Sequence, residues 1–120
     1  MRAEPRGIEI VREPITIDRL QAMAQGRFGD LVKAVVDVRV EIMAIGGELH
    51  ADEEAILLDL GSTQSDLWGI NLYPAEHGTP GWLEFDSMIN VRPGQGNRSR
   101  AVDDPAVQQQ IVAIVGRLVR

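Results

Sequence analysis

Arg92-Pro93-Gly94-Gln95-Gly96-Asn97-Arg98-Ser99-Arg100 is the densest run of chemistry-bearing residues in the chain. Its glycines let backbone N–H groups come close to a ligand. Arginine offers a planar fork that holds carboxylate or phosphate through two parallel hydrogen bonds. The pattern points to an anion-contacting loop using Arg92, Asn97, Arg98, Ser99 and Arg100. It is not a P-loop, because the closing Gly-Lys-Ser/Thr is missing. A competing account pairs the arginines with the protein's own acids, Asp103, Asp104 or Glu84. Asp103 and Asp104 would also occupy the helix dipole that helps to hold an anion.

A second cluster is Glu48-Leu49-His50-Ala51-Asp52-Glu53-Glu54. Imidazole and carboxylates close together can bind a divalent metal or move protons. Glu48, His50 and Asp52, joined by Asp86, would form the metal site of a metal-assisted hydrolase or small nuclease, with Arg98 or Arg100 stabilising developing negative charge. The spacing is not diagnostic, since no second histidine lies nearby. The competing account is a solvated turn with His50 against an aromatic ring. A third group, Asp86, Asn90 and Arg92 with Asn71 on a neighbouring strand, either lines a cleft or forms the wet side of an antiparallel sheet. Without cysteine there is no thiolate nucleophile, and Ser62, Ser65, Ser87 and Ser99 lack a nucleophile-elbow context. The leading reading is a non-catalytic binding or interaction module, without cofactor, that meets an anionic small molecule or an acidic partner. The metal-assisted enzyme is the alternative.

The elements that must position these residues show in the spacing. Ile8-Glu9-Ile10-Val11 reads as a short edge strand ended by Pro14. Thr16 caps a helix to about Gln25, with Ile17, Leu20, Met23 and Ala24 on one face. Ala34, Val36, Val38, Val40, Ile42 and Ala44 alternate with Lys33, Val35, Asp37, Arg39, Glu41 and Met43, which is strand periodicity. Residues 32–45 are long for one strand, so a hairpin near Arg39-Val40-Glu41 competes with a single strand, although no Gly or Asn marks a tight turn there. Ile56 to Leu60 reads as a strand, as do Leu67 to Tyr73 and Trp82 to Arg92, the last with Asn90 and Arg92 outward. Asp103 or Asp104, followed by Pro105, opens a C-terminal helix. The expected fold is α+β, a single domain over residues 1–120. It has an antiparallel meander of four to five strands covered by the C-terminal helix and the short N-terminal one.

Charge is unevenly spread. Residues 40–91 contain no lysine or arginine but ten acids, while residues 1–39 hold seven basic and six acidic side chains and residues 92–120 hold five and two. The acidic middle repels a phosphate backbone, which argues against duplex nucleic acid. The longest apolar runs are too short to cross a bilayer, and Met1-Arg2-Ala3-Glu4-Pro5-Arg6 leads into no signal-peptide stretch, so the expected location is the cytoplasm. In the last helix Val107, Ile111, Val112, Ile114, Val115, Leu118 and Val119 span more than one narrow stripe. That width predicts a homodimer contact there.

Four strings resemble a small prokaryotic family of unknown function: Gly46 to Glu54 (GGELHADEE), Asp66 to Pro74 (DLWGINLYP), Glu84 to Pro93 (EFDSMINVRP) and Gly96 to Arg100 (GNRSR). The resemblance covers about residues 30 to 120. It implies a freestanding intracellular protein and assigns no activity, cofactor or catalytic residue. Its members are more turn-like where this chain has Arg39-Val40-Glu41, which implies a hairpin there.

Overall fold

The computed structural model describes residues 7–120. The opening hexapeptide, read above for a leader signal, lies outside the described residues. Residues 32–45 form a hairpin of β2 (Val32–Asp37) and β3 (Ile42–Ile45), not one long strand. The turn needs no Gly or Asn because Asp37 builds it. The Asp37 side chain is buried. Its Oδ1 accepts from the N–H groups of Arg39 and Val40 at 2.9 and 3.1 Å, and its Oδ2 accepts from the Ser62 hydroxyl at 2.6 Å. Glu41 closes the turn in the left-handed region at φ 63°, a conformation that disfavours side-chain-bearing residues.

The other elements are β1 (Glu9–Val11), α1 (Ile17–Gln25), α2 (His50–Asp59), β4 (Leu67–Leu72), β5 (Leu83–Glu84) and α3 (Pro105–Leu118). The five strands run in the order β1-β3-β2-β4-β5 with every pairing antiparallel. The order departs from a sequential meander at two pairings, β1 with β3 and β2 with β4. β1 occupies the outer edge of β3, so the chain leaving β3 crosses the sheet through α2 and enters β4 at the open edge of β2.

Both sheet faces are covered. Val32, Ala34, Val36, Met43, Ile45, Trp68, Ile70 and Leu72 pack against Leu20 and Ala24 of α1 and Ile111, Ile114, Val115 and Leu118 of α3. Val35, Ala44 and Leu67 face the other way, toward Ile8 and Leu57. Thr16 caps α1 by accepting from the Arg19 N–H, and Asp104 caps α3 by accepting from the Ala106 N–H.

Two sequence expectations are corrected here. Residues 56–60, read as a strand, are the end of α2 and its C-cap Leu60, and the acidic stretch before them is the first half of the helix. The side of α2 toward the sheet carries His50, Glu53 and Leu57. Polar residues at two of those three positions hide the helical period that apolar spacing would show. Residues 82–92 form a strand only at Leu83–Glu84. Beyond it the segment still follows β4, but side chains replace the backbone ladder. Asn90 Oδ1 accepts from Gly69 N–H at 2.8 Å, and its Nδ2 donates to the Gly69 carbonyl at 3.0 Å. Asn90, expected outward, is fully buried. The apolar width of α3 is also mostly covered. Val119 is buried beside Ile15, which it pairs in a parallel bridge, and Val112, 53% exposed, faces outward.

Candidate functional site

The arginine loop is held by its own chain. The Arg92 guanidinium stacks over Trp68 at 4.2 Å and donates to the carbonyls of Gln64 and, at 2.8 Å, Leu67. Asn97 is buried and donates to the carbonyls of Asn90, Ser99 and Ala101, while its Oδ1 accepts from Asp103 N–H. The Asp103 carboxylate accepts from the Ser99 hydroxyl at 2.6 Å and from the Arg98 N–H at 3.0 Å. Those bonds, the hydroxyl first, hold its pKa below the ordinary value. Asp103 thus occupies the donors that a loop-bound anion would use. Arg98 extends into solvent. Of the residues expected to contact an anion, Arg100 lines a concavity shared with His50 and Asp86.

That concavity is an open cleft of about 260 Å³ on the α2 side of the sheet. Its polar lining comes from Lys33, His50, Asn71, Asp86, Ser87 and Arg100. The sheet register sets its floor. Lys33 of β2 pairs directly with Asn71 of β4, and Asn71 pairs with Glu84 of β5. Gly69, one pleat before Asn71, lets the Ser87 loop reach the strand: a Cβ there would lie 2.5 Å from Ser87 Cβ and 3.2 Å from His50 Cδ2. The Ser87 N–H and Asn90 Nδ2 both donate to the Arg100 carbonyl, at 3.0 and 2.9 Å, which fixes the Arg100 backbone beside the cleft. The Arg100 Nε donates to Asp86 Oδ1 at 2.7 Å in a pair that stays about half exposed.

Three polar features of the cleft are chemically open. First, Leu49, at the N-cap of α2, supplies no side-chain hydrogen bond, and Leu49, His50 and Ala51 line the cleft. A helix start with no polar cap leaves the His50 and Ala51 amides and the positive end of the dipole beside the cleft, offset in part by Asp52 in the same first turn. Second, Asn71 is 6% exposed; its Nδ2 donates to Glu84 Oε1 and to the Asp86 carbonyl, and its Oδ1 is buried without a partner. Third, His50 Nε2 lies 2.7 Å from the Ile70 carbonyl. A carbonyl only accepts, so Nε2 carries the proton. Burial lowers the His50 pKa, against the opposing bond to Ile70, so the imidazole is neutral near pH 7 and Nδ1 is an acceptor.

The structure separates most of the residues read as metal ligands. His50 and Asp86 line the cleft, whereas Glu48 pairs with Arg27 at 3.7 Å and Asp52 is not part of the lining. Among the described residues, no group of three or more His, Asp or Glu side chains is arranged to hold a metal ion. The third cluster splits as well: Asn71 and Asp86 reach the cleft, and Asn90 and Arg92 lock the fold. Sequence reasoning missed Lys33 and Ser87 as site residues. In the sequence Lys33 is one member of the alternation through residues 32–45, and only its pairing with Asn71 reveals its place. All four family-like strings contribute lining residues: Leu49 to Ala51, Asn71, Asp86 to Ile89, and Arg100.

Comparison with known proteins adds a family and no activity. Residues 9–118 match the family described as protein of unknown function (DUF5674). No curated protein and no solved structure matches the chain.

Proposed function

We propose, for a chain that belongs to the DUF5674 family, that it is a binding module whose cleft takes a small anion. The observation that carries this reading is the start of α2, without a side-chain cap, in the same cleft as Lys33 and Arg100. Amide donors at a helix N-terminus together with two cationic side chains favour an anionic group. The cleft moves the anion contact from the arginine loop as a whole to its last member, Arg100. Asp86 orients the Arg100 guanidinium without burying it. Cytoplasmic residence is part of the reading, supported by a cysteine-free composition. Among the described residues no helix is long and apolar enough to cross a membrane.

Thermal unfolding with added phosphate or sulfate tests the proposal, because a ligand that binds only the folded state raises Tm with its concentration. Arg100→Ala should weaken binding about tenfold or more, the scale of one charge-assisted hydrogen bond. Lys33→Ala should act in the same direction. Arg98→Ala should leave binding unchanged. No Tm shift with either anion, or an Arg98→Ala loss equal to that of Arg100→Ala, would overturn the cleft assignment.

A further inference from the structure

We propose that the anion taken by this cleft also carries a hydroxyl group, as a sugar phosphate or a small hydroxycarboxylate does, and that this hydroxyl donates to Asn71 Oδ1. The inference rests on the anion reading above and adds what the rest of the ligand must be.

The Asn71 amide has one possible orientation. Both partners on its Nδ2 side, Glu84 Oε1 at 2.9 Å and the Asp86 carbonyl at 3.2 Å, are acceptors, so a flipped amide would set oxygen against oxygen. The carbonyl end is therefore Oδ1, an acceptor with no partner in a side chain that lines the cleft. Buried polar atoms in folded proteins are nearly always paired, so an unpaired one in a cleft-lining side chain calls for a donor, which reaches Oδ1 once the side chains that shield it move aside. His50 Nδ1, without a hydrogen-bond partner among the described residues, is a second acceptor in the same lining. The cleft thus sets acceptors alongside Lys33, Arg100 and the α2 amides, which are donors.

A bare sulfate satisfies the donors and leaves Asn71 unanswered, and inorganic phosphate answers it only through its own P–OH, which is lost as the pH rises. An ammonium group would meet Asn71 but lie beside Lys33 and Arg100, two like charges. A neutral hydroxyl donates without that repulsion. The volume of about 260 Å³ limits the ligand to a few carbons. Leu49 and Met88, both exposed on the cleft lining, offer apolar contact to a short carbon chain.

Two matched pairs of probes test this on the wild-type protein by calorimetric titration: glycerol 3-phosphate against propyl phosphate, and glycerate against propionate. Each pair keeps the anion and chain length and changes only the hydroxyls. Within at least one pair the hydroxylated member should bind about tenfold tighter, the scale of one hydrogen bond made only by that member. The pair that discriminates identifies the phosphate or the carboxylate source. Asn71→Leu should erase the difference while retaining the weaker binding. The wild-type comparison stands alone should that variant fold poorly. Equal binding within both pairs would overturn the hydroxyl inference and leave the anion reading intact. No binding by any of the four probes or by inorganic phosphate would overturn both.

Discussion

Asn90 spans the edge of β4 with its side-chain amide, bonding both the N–H and the carbonyl of Gly69, and its Nδ2 also reaches the Arg100 carbonyl. Asn90→Ala would strip a buried donor and acceptor of their partners at once. The expected loss is about 2–4 kcal/mol, two groups at the usual cost of an unmade buried bond, measured by urea unfolding. Glu53 is a different residue-scale case. Its carboxyl is fully buried, Oε2 accepts from the Gly47 N–H at 2.9 Å, and Oε1 has no partner. Burial pushes its pKa well above the ordinary 4.5, against the pull of the Gly47 bond. Below that ordinary value both folded and unfolded chains hold the proton. Above it the unfolded chain releases a proton that the folded chain keeps, so stability declines with rising pH until the folded carboxyl also ionises. Glu53→Gln keeps an acceptor for Gly47 and cannot ionise. Unfolding measured from pH 5 to pH 8 should show that decline flattened in the variant; an unchanged slope would mean that Glu53 is ionised in the fold.

At the scale of elements, α2 begins on a residue that cannot cap it. Leu49 is 58% exposed at the N-cap position, where Asp, Asn, Ser or Thr would be worth about 1 kcal/mol. Leu49→Asp should therefore raise stability by about that amount. The same carboxylate would occupy the amides at the start of α2 and add negative charge to the cleft, so anion binding should fall. Opposite movements of Tm and affinity are the expected result, a gain in stability at the expense of function. A Leu49→Asp protein that binds phosphate as well as wild type would show that the α2 start takes no part in binding.

The whole molecule carries a net charge of −6, yet two cations line its cleft. Lys33 comes from the N-terminal third and Arg100 from the C-terminal segment, while Leu49, His50, Asn71, Asp86 and Ser87 come from the stretch without lysine or arginine. The overall field repels anions, so binding depends on short-range contacts. Salt that screens them should weaken affinity over the range where the Debye length falls from about 10 Å to about 3 Å. Calorimetric titration at 0.1 M and 1 M sodium chloride checks this. Self-association through α3 has lost most of its physical ground, since Val119 is buried and Val112 alone is exposed from that stripe. One valine falls far short of the roughly 1,000 Å² that a specific interface buries. Light scattering at micromolar concentration should give the mass of a monomer, and a dimer that Val112→Asp abolishes would restore the α3 contact.

Much of what near neighbours decide was legible in the sequence: Thr16 as a cap, Asp103 or Asp104 as the other, the alternation through residues 32–45, the apolar stripe of α3, and the uneven charge. These signals depend on near neighbours, at spacings of two, three or four residues. The sequence also marked His50, Asp86 and Arg100 as residues able to do chemistry, without showing that they share one cleft. Tertiary structure decided what depends on distant partners. α2 was hidden because its buried side bears His50 and Glu53, whose burial only the sheet beneath explains. Residues 85–92 alternate like a strand, but the edge of β4 is bonded by Asn90 and Arg92 side chains, a substitution that periodicity cannot reveal. The meeting of Lys33 with Asn71 follows from strand register, and that of Arg100 with Asp86 from the Asn90 and Asn97 locks on their loop. The Lys33–Asn71 and Arg100–Asp86 meetings each join residues more than ten positions apart, so closing the intervening chain had to be decided by the core before the site could exist.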